Sequence, residues 1–184
     1  MIEEWEILER MPFEDHRIFR IHTRIVKSPR TGTSMEIKTI SFRDWAMVLP
    51  LTATGEVVMI RQYRHGVEAV CLELPGGLID PGDASPEAAA RRELMEETGY
   101  EAQDYILLGS CYPQPAVLNN RGYFVLATDA RLTRDPKLDD GEDIEVVRVP
   151  LAEIPGMIQN GSISGGTVQL AFFKYFMNRN LLQL

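Results

Sequence analysis

The stretch ELPGGLIDPGDASPEAAARRELMEETGY, residues 73–100, carries the most informative pattern in the chain. Its first half is rich in glycine and proline, the residues that most often interrupt regular structure. We therefore expect residues 78–84 to form a loop, with Gly76 and Gly77 outside any regular element. The apolar residues 70–74 ahead of this loop predict a strand that leads into it.

The second half of the stretch predicts one α-helix over Pro86–Thr98. Ser85 is a favourable N-cap, and Pro86 falls on the first helical position, where its missing N–H costs no hydrogen bond. Gly99 supplies the left-handed residue with which many helices end. The helix is amphipathic, so one of its faces can pack on a sheet.

Three glutamates of this helix, Glu93, Glu96 and Glu97, fall close together on one face at about 100° per residue. Such a run of like charges is mildly destabilising, and a solvated acidic face is its ordinary explanation. Here the run follows a glycine-rich turn and is interleaved with arginine. Hard divalent cations such as Mg²⁺ take oxygen ligands, and two glutamates four residues apart offer them from a rigid scaffold. The pattern therefore favours a metal site.

The stretch resembles the signature of the Nudix hydrolases, Gly-x5-Glu-x7-Arg-Glu-U-x-Glu-Glu-x-Gly-U, where U is a bulky aliphatic residue. The helical half matches at six spaced positions: Arg92, Glu93, Leu94, Glu96, Glu97 and Gly99. The loop half departs from the signature, because the acid six residues after Gly77 is Asp83 and eight residues separate it from Arg92. We interpret this as a one-residue insertion, which leaves the helix intact and the role of Asp83 open. Tyr100 stands where the signature ends on an aliphatic residue.

This resemblance implies an α/β fold, the Nudix α/β/α sandwich with a mixed sheet, and metal-assisted hydrolysis of a nucleoside diphosphate derivative. The metal is expected to be Mg²⁺, with Mn²⁺ as the alternative, held by Glu93, Glu97 and the backbone carbonyl of Gly76. Glu96 would bind a further ion or hold its water. Arg92 would orient the carboxylates through charge-assisted hydrogen bonds.

Length, composition and charge are those of an ordinary globular protein. The 184 residues are 45% apolar and 25% charged, which predicts one main domain with a small appendage. The net charge of −8 argues against a nucleic-acid-binding protein, which would carry a basic face. No apolar run reaches the length of a membrane span. Cys71 and Cys111 are predicted to be buried free thiols, so a reducing cytoplasm is the expected location.

Residues 1–44 predict a small N-terminal antiparallel sheet, and residues 45–184 the Nudix hydrolase domain. Alternating patterns over 5–9, 17–25 and 35–42 are typical of half-buried strands. Three such strands have exposed edges and need the rest of the chain or a second subunit. In the second region, strands are expected over residues 45–50, 57–63, 70–74, 105–112, 123–128 and 144–149, and helices over 151–160 and 167–178.

Outside the signature, the chain resembles the ADP-ribose and nucleoside diphosphate sugar pyrophosphatase branch of the Nudix family. The resemblance rests on RQYR at residues 61–64 ahead of ELPGG at 73–77, on DIEVVRVPL at 143–151, and on the N-terminal sheet. In that branch this sheet is exchanged between the subunits of a homodimer, so a homodimer is expected. The implied substrate is ADP-ribose, followed by GDP-mannose. A nucleoside triphosphate pyrophosphatase and a non-catalytic nucleotide sensor are the alternatives.

Binding of a diphosphate requires cations besides the metal, and the candidates are Arg64, Arg43 and Arg121. Each of these arginines is equally compatible with a solvated surface position.

A general base is expected outside the helix, because the helix carboxylates are needed as metal ligands. The acidic, aperiodic loop 131–143 has the length of a functional loop. The resemblance implies Glu142 as the base, with Asp140 next, and Glu96 on the helix is the alternative. The alternative explanation of these acidic residues is that they have no catalytic role and only keep a flexible turn in contact with solvent.

Overall fold

Two sheets of different character account for most of this computed structural model, in which residues 1–178 are described. The chain divides into two units. The first comprises residues 1–44 together with 112–121, and the second comprises residues 45–111 and those from 122 onward. The loop 112–121, expected to belong with residues 45–184, therefore groups with the N-terminal residues.

The first unit is a four-stranded antiparallel sheet centred on its third strand. The strands are β1 (Glu6–Arg10), β2 (Glu14–Asp15), β3 (Arg20–Lys27) and β4 (Ser34–Ser41), and β3 pairs with the other three. The predicted start of β3 at residue 17 is too early. Arg17 has φ of 65° and donates its N–H to Asp15 Oδ1 at 2.9 Å, a turn geometry that no strand residue adopts.

The second unit contains nine strands and three helices within the described residues. The strands are β5 (Trp45–Leu51), β6 (Glu56–Arg64), β7 (Ala69–Glu73), β8 (Gly76–Leu78), β9 (Tyr100–Glu101), β10 (Asp104–Cys111), β11 (Gly122–Thr128), β12 (Arg131–Leu132) and β13 (Ile144–Pro150). β9 and β12 pair with each other, and the remaining seven strands form one sheet. This sheet is mixed, as predicted, because β5 runs parallel to β11 and antiparallel to its other neighbours.

The seven-stranded sheet splits along β5. On one side β5 pairs with β11 over its whole length, whereas on the other it meets β6 only at Leu51 and Val57. Further along, β5 pairs with β8 and β6 pairs with β7. The turn between β7 and β8 therefore crosses from one half of the split sheet to the other.

The predictions that Gly76 and Gly77 lie outside regular structure and that the loop begins at Leu78 are wrong, because all three residues form β8. Gly76 is the partner of Met47 and Gly77 the partner of Ala46. A Cβ atom at Gly76 would collide with the carbonyl oxygen of Ala46, and one at Gly77 would lie 2.5 Å from Glu93 Oε1. Glycine is required at residue 76 because the β5 backbone approaches too closely for a side chain, whereas a side chain at residue 77 would displace the Glu93 carboxylate.

Helices cover both faces of this sheet, which confirms the α/β/α arrangement. α1 (Pro86–Thr98) has the predicted bounds and packs on one face through Ala89, Ala90 and Leu94. α2 (Ile154–Gln159) and α3 (Gly166–Asn178) contribute to the apolar core on the other face. The helix predicted over 151–160 is shorter than expected. A 3₁₀ turn occupies Leu151–Glu153, because Pro155 is tolerated only in the first turn of an α-helix.

None of the helices within residues 1–178 combines the length and the apolar character that a membrane span requires. Cys71 and Cys111 are free thiols, as predicted. Both are half-buried rather than buried, because each lies on a strand whose side chains are only partly covered.

Candidate active site

Two caps set the bounds of α1, the helix that carries the acidic face. At the N-terminus, Ser85 Oγ accepts a hydrogen bond from the N–H of Ala88 at 3.2 Å. At the C-terminus, Gly99 adopts φ of 72° and donates its N–H to Met95 O. Both caps were predicted from the sequence. In the helix so bounded, Glu97 lies beside Gly76 and Glu93 lies beside Gly77.

Arg92 connects the loop to the carboxylates of the helix. Its guanidinium donates to Asp83 Oδ1 at 3.2 Å, Asp83 Oδ2 at 2.9 Å, Glu93 Oε1 at 2.8 Å, Glu96 Oε2 at 3.0 Å and Leu78 O at 3.0 Å. These anionic partners raise the pKa of Arg92, with Asp83 contributing most. The same hydrogen bonds lower the pKa of Asp83. Despite the insertion in the loop, Asp83 is therefore an anchor for Arg92.

Glu97 is the most deeply buried charge of the site. It is 3% exposed, and its Oε2 accepts the N–H of Gly76 at 2.9 Å. Burial raises the pKa of Glu97 to about 8, and the negative charges of Glu93 and Glu142 add to this effect. Burial also raises the pKa of Glu93. Such a group is unfavourable in its ionised form unless a cation compensates it.

The donor set around Glu97 fits a hard divalent cation, because it consists of carboxylate oxygens without sulfur or imidazole. Within residues 1–178, no three acidic, histidine or cysteine side chains already form a metal cage. Glu93 and Glu96 are hydrogen-bonded to Arg92, and Glu97 to Gly76. Ligation therefore requires these carboxylates to exchange part of these contacts for the ion. Ligation by the Gly76 carbonyl stays a prediction.

Arg64 lies in a cavity of about 630 Å³ beside this cluster. The cavity is also lined by Glu73, Gly76 and Gly77, and by apolar side chains that include Trp45. Arg64 forms a fork with Glu73, whose shortest distance is 2.6 Å between Arg64 Nη2 and Glu73 Oε2. The charge of Glu97 contributes to the raised pKa of Arg64. One cavity thus contains an arginine and the glycines that border the carboxylates.

Arg43 and Arg121 belong to the first unit. The backbone oxygen of Arg43 accepts Asn120 Nδ2 at 3.2 Å. The guanidinium of Arg121 donates to the Tyr112 hydroxyl at 2.7 Å and lies 4.4 Å from the centre of the Tyr112 ring. A role of either arginine in substrate binding stays a prediction.

The loop 131–143 is tied to the end of α1 through its backbone. Thr133 donates its N–H to Gly99 O at 3.0 Å, and Lys137 donates to Glu96 O at 2.8 Å. Beyond these anchors, Glu142 accepts the N–H of Asp139 at 3.1 Å. The charge of Glu142 raises the pKa of both Glu93 and Glu97, so it lies within electrostatic range of the cluster. Asp140 is exposed.

Sequence reasoning missed two polar residues of the β6–β7 hairpin. Glu73 is one of them, and no sequence signal would have found it, because the hairpin register places it opposite Ile60 and places Arg64 opposite Ala69. Gln62 is the other. Its Oε1 atom is buried and has no hydrogen-bond partner among the described residues.

Comparison with known proteins places this geometry in context. Residues 42–165 match the family model of the NUDIX domain. An ADP-ribose pyrophosphatase of Bacillus subtilis (strain 168) is 25% identical over 183 residues, which cover 99% of this chain and 97% of that protein. A GDP-mannose pyrophosphatase of Pectobacterium atrosepticum is 33% identical over 174 residues, which cover 88% of each protein. The crystal structure of an ADP compounds hydrolase superposes with a TM-score of 0.86 at 25% identity, covering 100% of this chain and 96% of that one.

The burial of Glu97 predicts a pH-dependent stability of the metal-free protein. The folded-state pKa of about 8 lies above the reference value of 4.5, so the folded state holds the proton more tightly than the unfolded state. The free energy of unfolding should therefore fall as pH rises through this interval, and Glu97→Gln should flatten that fall. Urea midpoints measured in EDTA at several pH values provide the test.

Two controls accompany this measurement. Glu87→Gln, in the first turn of the same helix and outside the carboxylate cluster, should retain the wild-type slope. Addition of Mg²⁺ should raise the wild-type midpoint most at the alkaline end of the interval. Parallel slopes for wild type and Glu97→Gln would contradict the assignment.

Proposed function

Since the chain belongs to the NUDIX family, we propose that it is a pyrophosphatase that hydrolyses the diphosphate bond of a nucleoside diphosphate sugar, with ADP-ribose as first candidate. The products would be a nucleoside monophosphate and a sugar phosphate. The match of residues 42–165 to the NUDIX domain confirms the Nudix resemblance of residues 73–100. The observation that carries the proposal is the carboxylate face of α1, with Glu97 buried and Arg92 bound to Glu93 and Glu96, beside a cavity that contains Arg64.

The choice of substrate follows the relatives. The ADP-ribose pyrophosphatase of Bacillus subtilis aligns with nearly the whole chain, including the N-terminal unit. GDP-mannose is the second candidate, because the relative named for it has the higher identity but aligns with a smaller share of the chain, 88% against 99%. The apolar lining of the cavity, which includes Trp45 and Val70, is compatible with a base or a sugar as the group beyond the diphosphate.

Glu93, Glu96 and Glu97 are the residues that would hold Mg²⁺, with Mn²⁺ as the alternative. Their oxygen donors and the unfavourable burial of Glu97 both support a hard cation at this position. When bound there, a divalent cation neutralises phosphate charge and lowers the pKa of water.

Arg92 keeps the carboxylates in place while the substrate binds. Its hydrogen bonds to Glu93 and Glu96 hold the two side chains side by side, where their mutual repulsion would otherwise separate them. Asp83 and the Leu78 carbonyl fix the guanidinium from the other side. Arg92 is thus a positioning residue that prepares the oxygen ligands before the substrate arrives.

Glu142 is the proposed general base. Its charge raises the pKa of Glu93 and of Glu97. Glu142 lies in the loop 131–143, outside the helix whose carboxylates would bind the metal. Glu142 would accept the proton of the attacking water as the oxygen–phosphorus bond forms and the bond between phosphorus and the bridging oxygen breaks. Asp140 and Glu96 are the alternatives.

A substrate screen tests the proposed function. With Mg²⁺ present, kcat/KM for ADP-ribose or GDP-mannose should exceed that for every nucleoside triphosphate and dinucleoside polyphosphate, and EDTA should abolish turnover. Glu97→Gln should reduce turnover by orders of magnitude while the protein stays folded, because one ligand charge is lost. A triphosphate as the best substrate would replace this function with that of a nucleoside triphosphate pyrophosphatase.

The general base has its own test. Glu142→Gln should lower kcat by about 10²-fold or more with little change in KM, since a base acts in the transition state. The loss should shrink as pH rises and hydroxide replaces the assisted water. Asp140→Asn tests the alternative base in the same loop, and it should stay within a few-fold of wild type if Glu142 is the base. If neither variant loses more than a few-fold in kcat, the base lies elsewhere, and Glu96 becomes the first candidate.

We also propose a homodimer that forms through the N-terminal unit. All of β1 is exposed, and large apolar side chains such as Phe13, at 50%, and Ile18, at 71%, face solvent in this unit. An accumulation of exposed large apolar residues in one unit supports a protein interface there.

Light scattering at micromolar concentration should therefore give twice the chain mass of 20.8 kDa. The double variant Phe13→Glu, Ile18→Glu should shift the mass toward that of the monomer, whereas Phe173→Glu, on an exposed position of α3, should not. A wild-type protein of monomer mass would refute the dimer.

A further inference from the structure

Glu73 holds Arg64 by one edge of its guanidinium. Arg64 Nε lies 3.1 Å and 3.2 Å from the two carboxylate oxygens of Glu73, and Arg64 Nη2 lies 2.6 Å from Oε2. Within residues 1–178, Nη1 of Arg64 donates no hydrogen bond. A guanidinium presents two edges that each fit a two-oxygen acceptor, one formed by Nε and Nη2 and the other by Nη1 and Nη2. The second edge is therefore left for another anion.

The pair is positioned by the β6–β7 hairpin. Arg64 and Glu73 lie on neighbouring strands of this hairpin, and both line the cavity that also contains Gly76 and Gly77. The Glu73 side chain is 15% exposed and that of Arg64 is 44% exposed, so the carboxylate lies deeper than the cation it holds. The charge of Glu97 also acts on Arg64. The guanidinium is thus bound by one carboxylate and lies within electrostatic range of another.

We propose that Glu73 is a positioning residue that orients Arg64 so that its free edge binds the diphosphate of the substrate. This inference rests on the proposed function. A long arginine side chain at a half-exposed position loses rotamer freedom when it binds a ligand, and a partner that already fixes it reduces that loss. Because Glu73 uses only the Nε–Nη2 edge, it orients the guanidinium without blocking the Nη1–Nη2 edge.

Other arginine–carboxylate pairs of the same strand lack this arrangement. Arg61 and Glu145 are both largely exposed, and Arg148 reaches Glu56, at the opposite end of β6, only at 3.5 Å. None of these four residues lines the cavity around Arg64. Exposed pairs of this kind contribute little to stability or orientation.

The test is a double-mutant cycle on Arg64 and Glu73 with ADP-ribose as substrate and ADP as a binding probe. Glu73→Gln, which retains shape and removes the charge, should raise KM and the Kd of ADP by about tenfold, with kcat within about threefold of wild type. Arg64→Ala should raise both constants at least as much. In the Arg64→Ala background, Glu73→Gln should have no further effect, because its action passes through the arginine.

The control variant is Glu56→Gln, which removes an arginine-paired carboxylate from the far end of the same strand and should leave KM, kcat and the Kd of ADP unchanged. Thermal unfolding of each variant distinguishes a loss of orientation from a loss of fold.

Three outcomes would overturn the inference: an unchanged KM in Glu73→Gln, a lower KM, which would mean that Glu73 competes with the substrate for Arg64, or a full effect in the Arg64→Ala background. A wild-type protein that hydrolyses no diphosphate sugar would instead refute the proposed function itself.

Discussion

The burial of Glu97 is the constraint on which the rest of the site depends. A carboxylate that is 3% exposed and close to other acids must be compensated by hydrogen bonds or by a cation. The protein itself supplies one backbone N–H, from Gly76, and the more distant charge of Arg64. This partial compensation keeps the side chain in place and leaves its remaining oxygen lone pairs available to a ligand. A divalent cation bound at Glu97 would compensate the negative charge that burial makes unfavourable.

The approach of α1 to β8 explains the glycines of the loop. The β5 backbone leaves no space for a Cβ atom at Gly76, and a Cβ atom at Gly77 would displace the Glu93 carboxylate. The same approach places the acidic face at the split of the sheet, where β5 exchanges β6 for β8 as its partner. The cavity opens there, and Arg64 on β6 and Glu73 on β7 both line it. The short strand β8 is therefore constrained both by the backbone of β5 and by the carboxylates of α1.

Arg92 shows how a local departure from a signature can leave its geometry intact. The loop carries one additional residue and an aspartate in place of glutamate. Asp83 nevertheless reaches both Nε and Nη2 of Arg92. A loop can accommodate an inserted residue because its backbone is not part of a regular hydrogen-bond pattern. An insertion within the helix ahead of Glu93 would instead have rotated all three glutamates away from β8. The tolerated change therefore lies in the loop.

The sequence by itself determined α1 with its two caps, most of the longer strands, and the close spacing of three carboxylates on one helix face. These features follow from local rules: the period of apolar residues, the conformational limits of proline and glycine, and the spacing of charges along a helix. The family resemblance added the class of chemistry. Only the tertiary structure decided that Gly76 and Gly77 form a strand, that Glu97 is buried, that Glu142 lies within range of the helix and that Glu73 holds Arg64. Each of these depends on which distant backbone or side chain comes close, and burial, pKa and hydrogen-bond partner are properties of that neighbourhood rather than of the residue.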